Sequence, residues 1–291
     1  MSKKNLIIVS LCVLVMTAII LPNQNTIRLM PPFYKTVDTV QAVQSLEDFG
    51  RVHYTENEHP IHLVHSGRKD APAVLFIHGS PGSWEAWAEY LHDPELRESA
   101  FMIAVDRPGY GGSNDGTSGL SLEEQARLIM EALMHSFPKR DSFIIAGHSY
   151  GGPIALRLAI DYPSSVESML LLAPAIAPEL VRVKWYNKLA DLFFVRPFLP
   201  VPLHHSNEEM IPLKGELIKM EPRLTEVKTS TTVIQGQKDW IVLPGNAEFA
   251  KISLSNAAVH LDLLQERGHF IPWEEYTRVK ETLMKHLRGR T

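Results

Sequence analysis

The sequence predicts an α/β chain built on a mostly parallel sheet with helices on both faces. Three observations carry that expectation. Short continuous apolar runs, Ala73-Val74-Leu75-Phe76-Ile77, Ala100-Phe101-Met102-Ile103-Ala104-Val105 and Met169-Leu170-Leu171-Leu172, have the length and composition of strands buried on both faces. Stretches with helical spacing alternate with them, which is the pattern of a parallel sheet covered on both sides. And the run Ser142-Phe143-Ile144-Ile145 breaks through Ala146-Gly147-His148-Ser149-Tyr150-Gly151-Gly152 directly into Ile154-Ala155-Leu156-Arg157-Leu158-Ala159, which reads as strand, sharp turn, helix.

In chain order, residues 6–21 carry no charge and follow Lys3-Lys4. The run is slightly short of the roughly 20 residues that span a bilayer. It lacks a small-residue cleavage site, and Cys12 follows a bulky Leu11. An uncleaved membrane anchor over residues 1–22 is expected, with a cleaved signal peptide as the alternative. The two lysines then stay cytoplasmic and the rest of the chain is extracytoplasmic, periplasmic or at the cell surface, or secreted if the segment is removed. Cys12 is the only cysteine, so the globular part has no disulfide. Residues 23–50 link the anchor to a domain spanning 51–291, with a short helix over 39–49 stopped by Gly50.

The domain opens with a hairpin, Val52-His53-Tyr54 against Ile61-His62-Leu63-Val64. Residues 122–137 form a helix opened by Ser121, with Glu124 three positions on as in a capping box. Residues 175–228 interrupt the alternation. Two helices are expected there, over 181–195 and 207–220, punctuated by prolines at 197, 200, 202 and 212, and together they form a small helical cap over the carboxyl edge of the sheet. Trp185, Leu189, Leu192, Phe193, Phe194, Phe198 and Leu199 of this cap line an apolar acyl pocket, meet a membrane, or simply pack on the sheet. Strands resume at Thr231-Thr232-Val233-Ile234 and at residues 259–264, and a helix over 274–287 closes the chain.

The chemistry centres on Ser149. A Gly-x-Ser-x-Gly turn strains the serine backbone, lets strand and helix pass closely, and sets the next amide at the positive end of a helix. A serine hydroxyl is a poor nucleophile unless a base takes its proton and a carboxylate orients that base. Asp239 follows the 231–234 strand in Gln235-Gly236-Gln237-Lys238-Asp239, and His269 follows the last strand in Arg267-Gly268-His269-Phe270. Asp239 could instead cap the helix near Pro244. Glu179 is the substitute acid and Asp262, inside a strand pattern, a poorer one. His148, beside the nucleophile, is expected to point elsewhere in a structural role. Backbone donors for a developing oxyanion are the Tyr150 amide and, from the loop His78-Gly79-Ser80-Pro81-Gly82, the Ser80 amide.

Other function classes are disfavoured. The net charge of −4 gives no support to nucleic-acid binding. His59, His62 and His65 recur every third residue, a spacing that in a strand does not put three side chains on one face, so no metal is expected. No cofactor is implied.

Over the region from about residue 50 to the C-terminus the chain resembles the α/β-hydrolase superfamily. His78-Gly79-Ser80-Pro81-Gly82 is similar to its oxyanion loop, and Asp106-Arg107-Pro108-Gly109-Tyr110-Gly111-Gly112-Ser113 to its Asp-Arg-x-Gly-x-Gly-x-Ser turn. Gly147–Gly152 resembles the nucleophile elbow, and the Asp239 and His269 loops its acid and base. The resemblance implies a serine hydrolase of ester-like bonds, carboxylesterase- or lipase-like, with a small-molecule ester, small or lipid-like, as substrate. Ser149 stands where dehalogenase and epoxide hydrolase branches carry aspartate, and Ser80 and His148 depart from the proline iminopeptidase pattern. An amidase, peptidase or C–C bond hydrolase of the same fold stays open, as does a membrane-tethered binding protein without catalysis.

Overall fold

A computed structural model describes residues 31–56, 58–117, 119–182 and 201–289. The expected membrane segment, residues 1–22, and the cap residues from Trp185 to Leu199 lie outside the described residues. Among the described residues no helix is long and apolar enough to cross a membrane.

The chain forms α1 (Pro31–Gln44), β1 (Gly50–Glu56), β2 (His59–Gly67) and β3 (Ala73–Ile77). It continues through α2 (Ala88–His92), α3 (Pro94–Ser99), β4 (Phe101–Asp106), α4 (Leu122–Ser136), β5 (Phe143–His148), α5 (Gly151–Asp161) and β6 (Val166–Leu172). After α6 (Val201–Met220) come β7 (Ser230–Gly236), α7 (Gly245–Ser253), β8 (Val259–Leu264), α8 (Ile271–Glu274) and α9 (Tyr276–Arg288). The strands make one eight-stranded sheet in the order β1-β2-β4-β3-β5-β6-β7-β8. Pairs β1/β2 and β2/β4 are antiparallel, and β4 through β8 run parallel. This is the α/β-hydrolase fold.

Period-two alternation divides the interior between two cores. Leu75, Ile77, Ile103, Val105, Ile145, Leu171 and Val233 face one side of the sheet, where α4 and α5 cover them. Val74, Phe76, Met102, Ala104, Ile144, Leu170 and Ile234 face the other, under α2, α3 and α9. The strands between the edges therefore read as unbroken apolar runs. Helix α4 opens as expected, the Ser121 hydroxyl accepting the Glu124 amide at 3.1 Å.

Several boundaries differ from expectation for physical reasons. The helix expected over 39–49 ends earlier, and Gly50 opens β1 opposite His65. A Cβ at Gly50 would stand 2.2 Å from the His65 ring, so this glycine makes room for a cross-strand imidazole instead of stopping a helix. Val43, in the stretch expected to be a link, is fully buried in the second core. Pro202 and Pro212 do not interrupt α6. Pro202 sits in the first turn, where its missing N–H is not needed. Around Pro212, buried Glu209, Leu213 and Leu217 outweigh the ~3 kcal/mol that an internal proline costs. The C-terminal helix breaks between α8 and α9 at Glu275, whose φ of −120° is not helical.

Candidate active site

The candidate nucleophile sits between β5 and α5. Ser149 has φ +53°, a left-handed conformation that costs a non-glycine residue on the order of 1 kcal/mol or more. Its backbone is tied on both sides: its amide donates to the Leu172 carbonyl at 3.0 Å, and its carbonyl accepts the amides of Gly152 at 3.0 Å and Ala175 at 3.1 Å. The flanking glycines are needed for close approach. A Cβ on Gly151 would stand 2.3 Å from the carbonyl oxygen of Ile77 at the end of β3, and one on Gly147 would stand 2.6 Å from that of Gly151. Tyr150 is the N-cap of α5, at the end where backbone N–H groups lack intrahelical acceptors.

Asp239 and His269 are brought together by the loops after β7 and β8. The His269 Nδ1–H donates to Asp239 Oδ2 at 2.8 Å, and both residues are buried. The other oxygen, Oδ1, accepts the amides of Ile241 at 2.9 Å and Val242 at 2.8 Å, while Gln235 Nε2 donates to Oδ2 at 3.2 Å. Asp239 thus fastens its own turn with one oxygen and orients a histidine with the other. An acceptor at Nδ1 leaves Nε2 of His269 as the basic nitrogen.

His148 does not point elsewhere. Its Nε2–H donates to the His269 carbonyl at 3.1 Å and its ring packs 4.8 Å from the His269 ring. Burial, and next the proximity of His269, hold its pKa well below the ordinary histidine value, so it braces His269 as a neutral ring. The alternative acids are engaged elsewhere. Glu179 is exposed and pairs with Lys214 at 3.4 Å, and Asp262 pairs with Arg278 at 2.9 Å.

The loop after β3 lies against the serine, because a Cβ on Gly79 would stand 3.0 Å from Ser149 Cβ. Behind this loop is a buried charge cluster. Arg107, fully buried, donates to the carbonyls of His78 and Gly79, both at 3.0 Å, to Gln125 Oε1 at 2.9 Å, and to both Glu209 oxygens at 2.6 and 3.0 Å. The guanidinium also stacks 4.8 Å from the Tyr110 ring and 4.6 Å from the Tyr150 ring. The Tyr110 hydroxyl donates to Glu209 Oε2 at 2.9 Å. The Ser80 hydroxyl bonds Tyr110 at 3.0 Å and Ser206 at 2.9 Å. Burial, and then Arg107, push the His78 pKa down to about 3. Its Nδ1–H donates to Gly79 O at 2.7 Å and its Nε2 accepts the Arg107 amide at 3.0 Å.

The Asp106–Ser113 turn is legible in the sequence, but the roles of Arg107, Tyr110, Gln125 and Glu209 are not. The arginine within the motif was the available signal. Glu209 has none, since its partner lies 102 positions away. The three spaced histidines separate as a strand requires: His62 meets Asp106 at 2.8 Å, His59 meets Asp115 at 3.0 Å, and His65 packs on Phe101. Among the described residues no group of three or more His, Cys, Asp or Glu could hold a metal ion.

Comparisons with known proteins bear on the fold that carries these residues. The profile of the alpha/beta hydrolase fold family matches residues 72–202. Epoxide hydrolase 1 of Caenorhabditis elegans is 31% identical over 115 residues, 38% of this chain and 27% of that protein. Monoacylglycerol lipase ABHD6 of Homo sapiens is 23% identical over 257 residues, 74% of this chain and 75% of that protein. Carboxylesterase CesB of Bacillus subtilis superposes with a TM-score of 0.66 at 17% identity, covering 89% of this chain and 98% of that one. For several of the curated relatives the chain spans only about a quarter of their length, 22–30%. The profile match over residues 72–202 and the superposition agree in giving the chain the α/β-hydrolase fold.

Proposed function

We propose that the protein is a cofactor-independent serine hydrolase of ester bonds. The observation that carries this is the 2.8 Å pairing of Asp239 with His269, whose ring packs on His148, the residue preceding an elbow serine held at φ +53°. Ser149 Oγ attacks the ester carbonyl while His269 Nε2 takes its proton. Asp239 holds the imidazole in that tautomer and stabilises the imidazolium, and the Ser80 and Tyr150 amides receive the oxyanion. Collapse expels the alcohol, which takes the proton from His269. Water, deprotonated by the same nitrogen, then releases the carboxylic acid and frees Ser149. A serine at the elbow favours acyl transfer over the epoxide chemistry named for some relatives.

A lipid-like acyl group is the substrate class we favour. Trp240 and Ile241, directly after Asp239 in the chain, are 72% and 42% exposed, an apolar surface of the kind a lipid-like group could meet. A monoacylglycerol lipase and proteins named as probable lysophospholipases are among the relatives. We further propose that residues 1–22 anchor the chain in a membrane with the catalytic domain on the extracytoplasmic side, supported by the charge-free run after Lys3-Lys4. Carbonate extraction of membranes bearing the full chain tests this; release of the intact chain into the soluble fraction would overturn it.

The test of the chemistry is hydrolysis of p-nitrophenyl esters from acetate to palmitate, with Ser149→Ala as control. Turnover that disappears in the control supports the mechanism, and the preferred chain length reports the pocket. Wild-type turnover in a folded Ser149→Ala protein would reject it.

A further inference from the structure

We propose that Glu209, on helix α6 of the segment between β6 and β7, is a positioning residue that acts through Arg107 to hold the Ser80 amide as an oxyanion donor. This rests on the acyl-transfer reading above and extends it to a residue remote from the reacting atoms.

A trans peptide unit is planar, with its C=O and N–H pointing in opposite directions. The unit joining Gly79 to Ser80 has its carbonyl held by two donors, Arg107 Nη2 at 3.0 Å and His78 Nδ1 at 2.7 Å. With that oxygen drawn toward Arg107, the Ser80 N–H is turned to the opposite side of the loop, and Gly79 itself lies against Ser149. The orientation of the donor is therefore set from behind, by the guanidinium.

The guanidinium is in turn set by α6. Arg107 and Glu209 are 0% and 2% exposed in their side chains and meet through two parallel N–H···O bonds. That geometry fixes both the plane and the rotation of the guanidinium. Burial works against the arginine charge, but the Glu209 carboxylate outweighs it and keeps the cation firmly protonated. Removing the carboxylate leaves a buried charge with only neutral acceptors, Gln125 and the two loop carbonyls. A second tie from the same helix reaches the same residue, since the Ser206 and Ser80 hydroxyls are 2.9 Å apart and Ser80 also meets Tyr110, a further Glu209 partner. The seat of α6 is thus read out at Ser80.

The experiment uses the full chain, with active sites titrated by a fluorophosphonate burst so that rates are expressed per competent site. Glu209→Gln keeps the shape and removes the charge. It is expected to lower kcat on p-nitrophenyl butyrate by on the order of 100-fold, the loss typical of an oxyanion donor, with KM within about twofold. Affinity for a trifluoromethyl ketone, which forms the tetrahedral oxyanion on Ser149, is expected to fall by a similar factor. A merely structural role would reduce the titrated fraction and leave kcat per site and ketone affinity unchanged, and that result would overturn the proposal. If Glu209→Gln does not fold, the charge-free pair Arg107→Met/Glu209→Met takes the same measurements, and a normal kcat per site again overturns it. Failure of the acyl-transfer reading itself is visible beforehand, as a wild-type protein that neither labels nor hydrolyses any ester, and it would remove this proposal as well.

Discussion

Gly236, the last residue of β7, offers a direct way to separate Asp239 from His269 without touching either. A methyl group there would stand 2.2 Å from the Gly268 carbonyl oxygen and 2.3 Å from that of Arg267. Ordinary C···O contacts begin near 3.3 Å, so the two loops must part by about 1 Å. Both obstacles are backbone atoms, with no flexible side chain to yield. The separation strains the Lys238 amide bond to the Arg267 carbonyl, now 2.9 Å. It would also stretch the Asp239–His269 bond from 2.8 Å to about 3.8 Å, outside hydrogen-bonding range. Gly236→Ala is therefore expected to lower kcat by on the order of 100-fold, with an overpacking cost of about 1–3 kcal/mol in stability. The facing Gly268→Ala serves as control, because a Cβ there meets nothing within 4 Å. The assay is p-nitrophenyl ester turnover per titrated site, alongside urea unfolding. A folded Gly236→Ala protein with kcat within twofold of wild type, or a Gly268→Ala protein equally impaired, would refute the reasoning.

Ser149→Ala is expected to abolish both turnover and fluorophosphonate labelling. Ser149→Gly, which relieves the +53° φ, should also raise the unfolding midpoint by the equivalent of about 1 kcal/mol; a lower midpoint would argue against stored strain. Gln235→Met removes the amide that donates to Asp239 Oδ2 along with a buried, unpartnered Oε1. It should lower kcat by roughly tenfold at near-wild-type stability, and an unchanged kcat would deny the amide a positioning role. His78 is held near pKa 3 by burial and Arg107, and His148 well below the ordinary 6.5 by burial and His269, so both are neutral in the fold and protonate on unfolding below pH 6.5. Their contribution to stability is complete above that pH and is lost as the pH falls, by up to about 1.4 kcal/mol per pH unit for each. Urea midpoints that do not fall between pH 7.5 and 5.5 would contradict this assignment.

What the sequence made legible was whatever has a local cause. Strands β3, β4 and β6 announce themselves as apolar runs because both faces are buried, and β8 spans the expected residues 259–264. The Ser149 turn and the loops that carry Asp239 and His269 are each short segments whose glycines and flanking strands carry the signal. Helix α6 runs longer than the expected 207–220 because proline rules describe isolated helices, whereas packing around Leu213 and Leu217 decides here. The pairing of Gly50 with His65, the bracing of His269 by His148 and the Arg107–Glu209 pair join residues far apart in sequence. Their signal lies in three-dimensional neighbourhood and leaves no periodicity to detect.

The ion pair that crosses from α6 to Arg107 also bears on how such a chain can be recombined. The segment between β6 and β7 leaves and returns at adjacent strands of the sheet, which invites its exchange for the corresponding piece of a relative with different substrate preferences. Such a graft would bring its own pocket lining, but it would also have to present a carboxylate at the depth of Arg107, 102 positions away in the recipient. A donor segment lacking that group would leave a bare cation beneath the loop after β3. Compatibility of chimeras should therefore follow the residue aligned with Glu209 more closely than overall similarity of the exchanged piece.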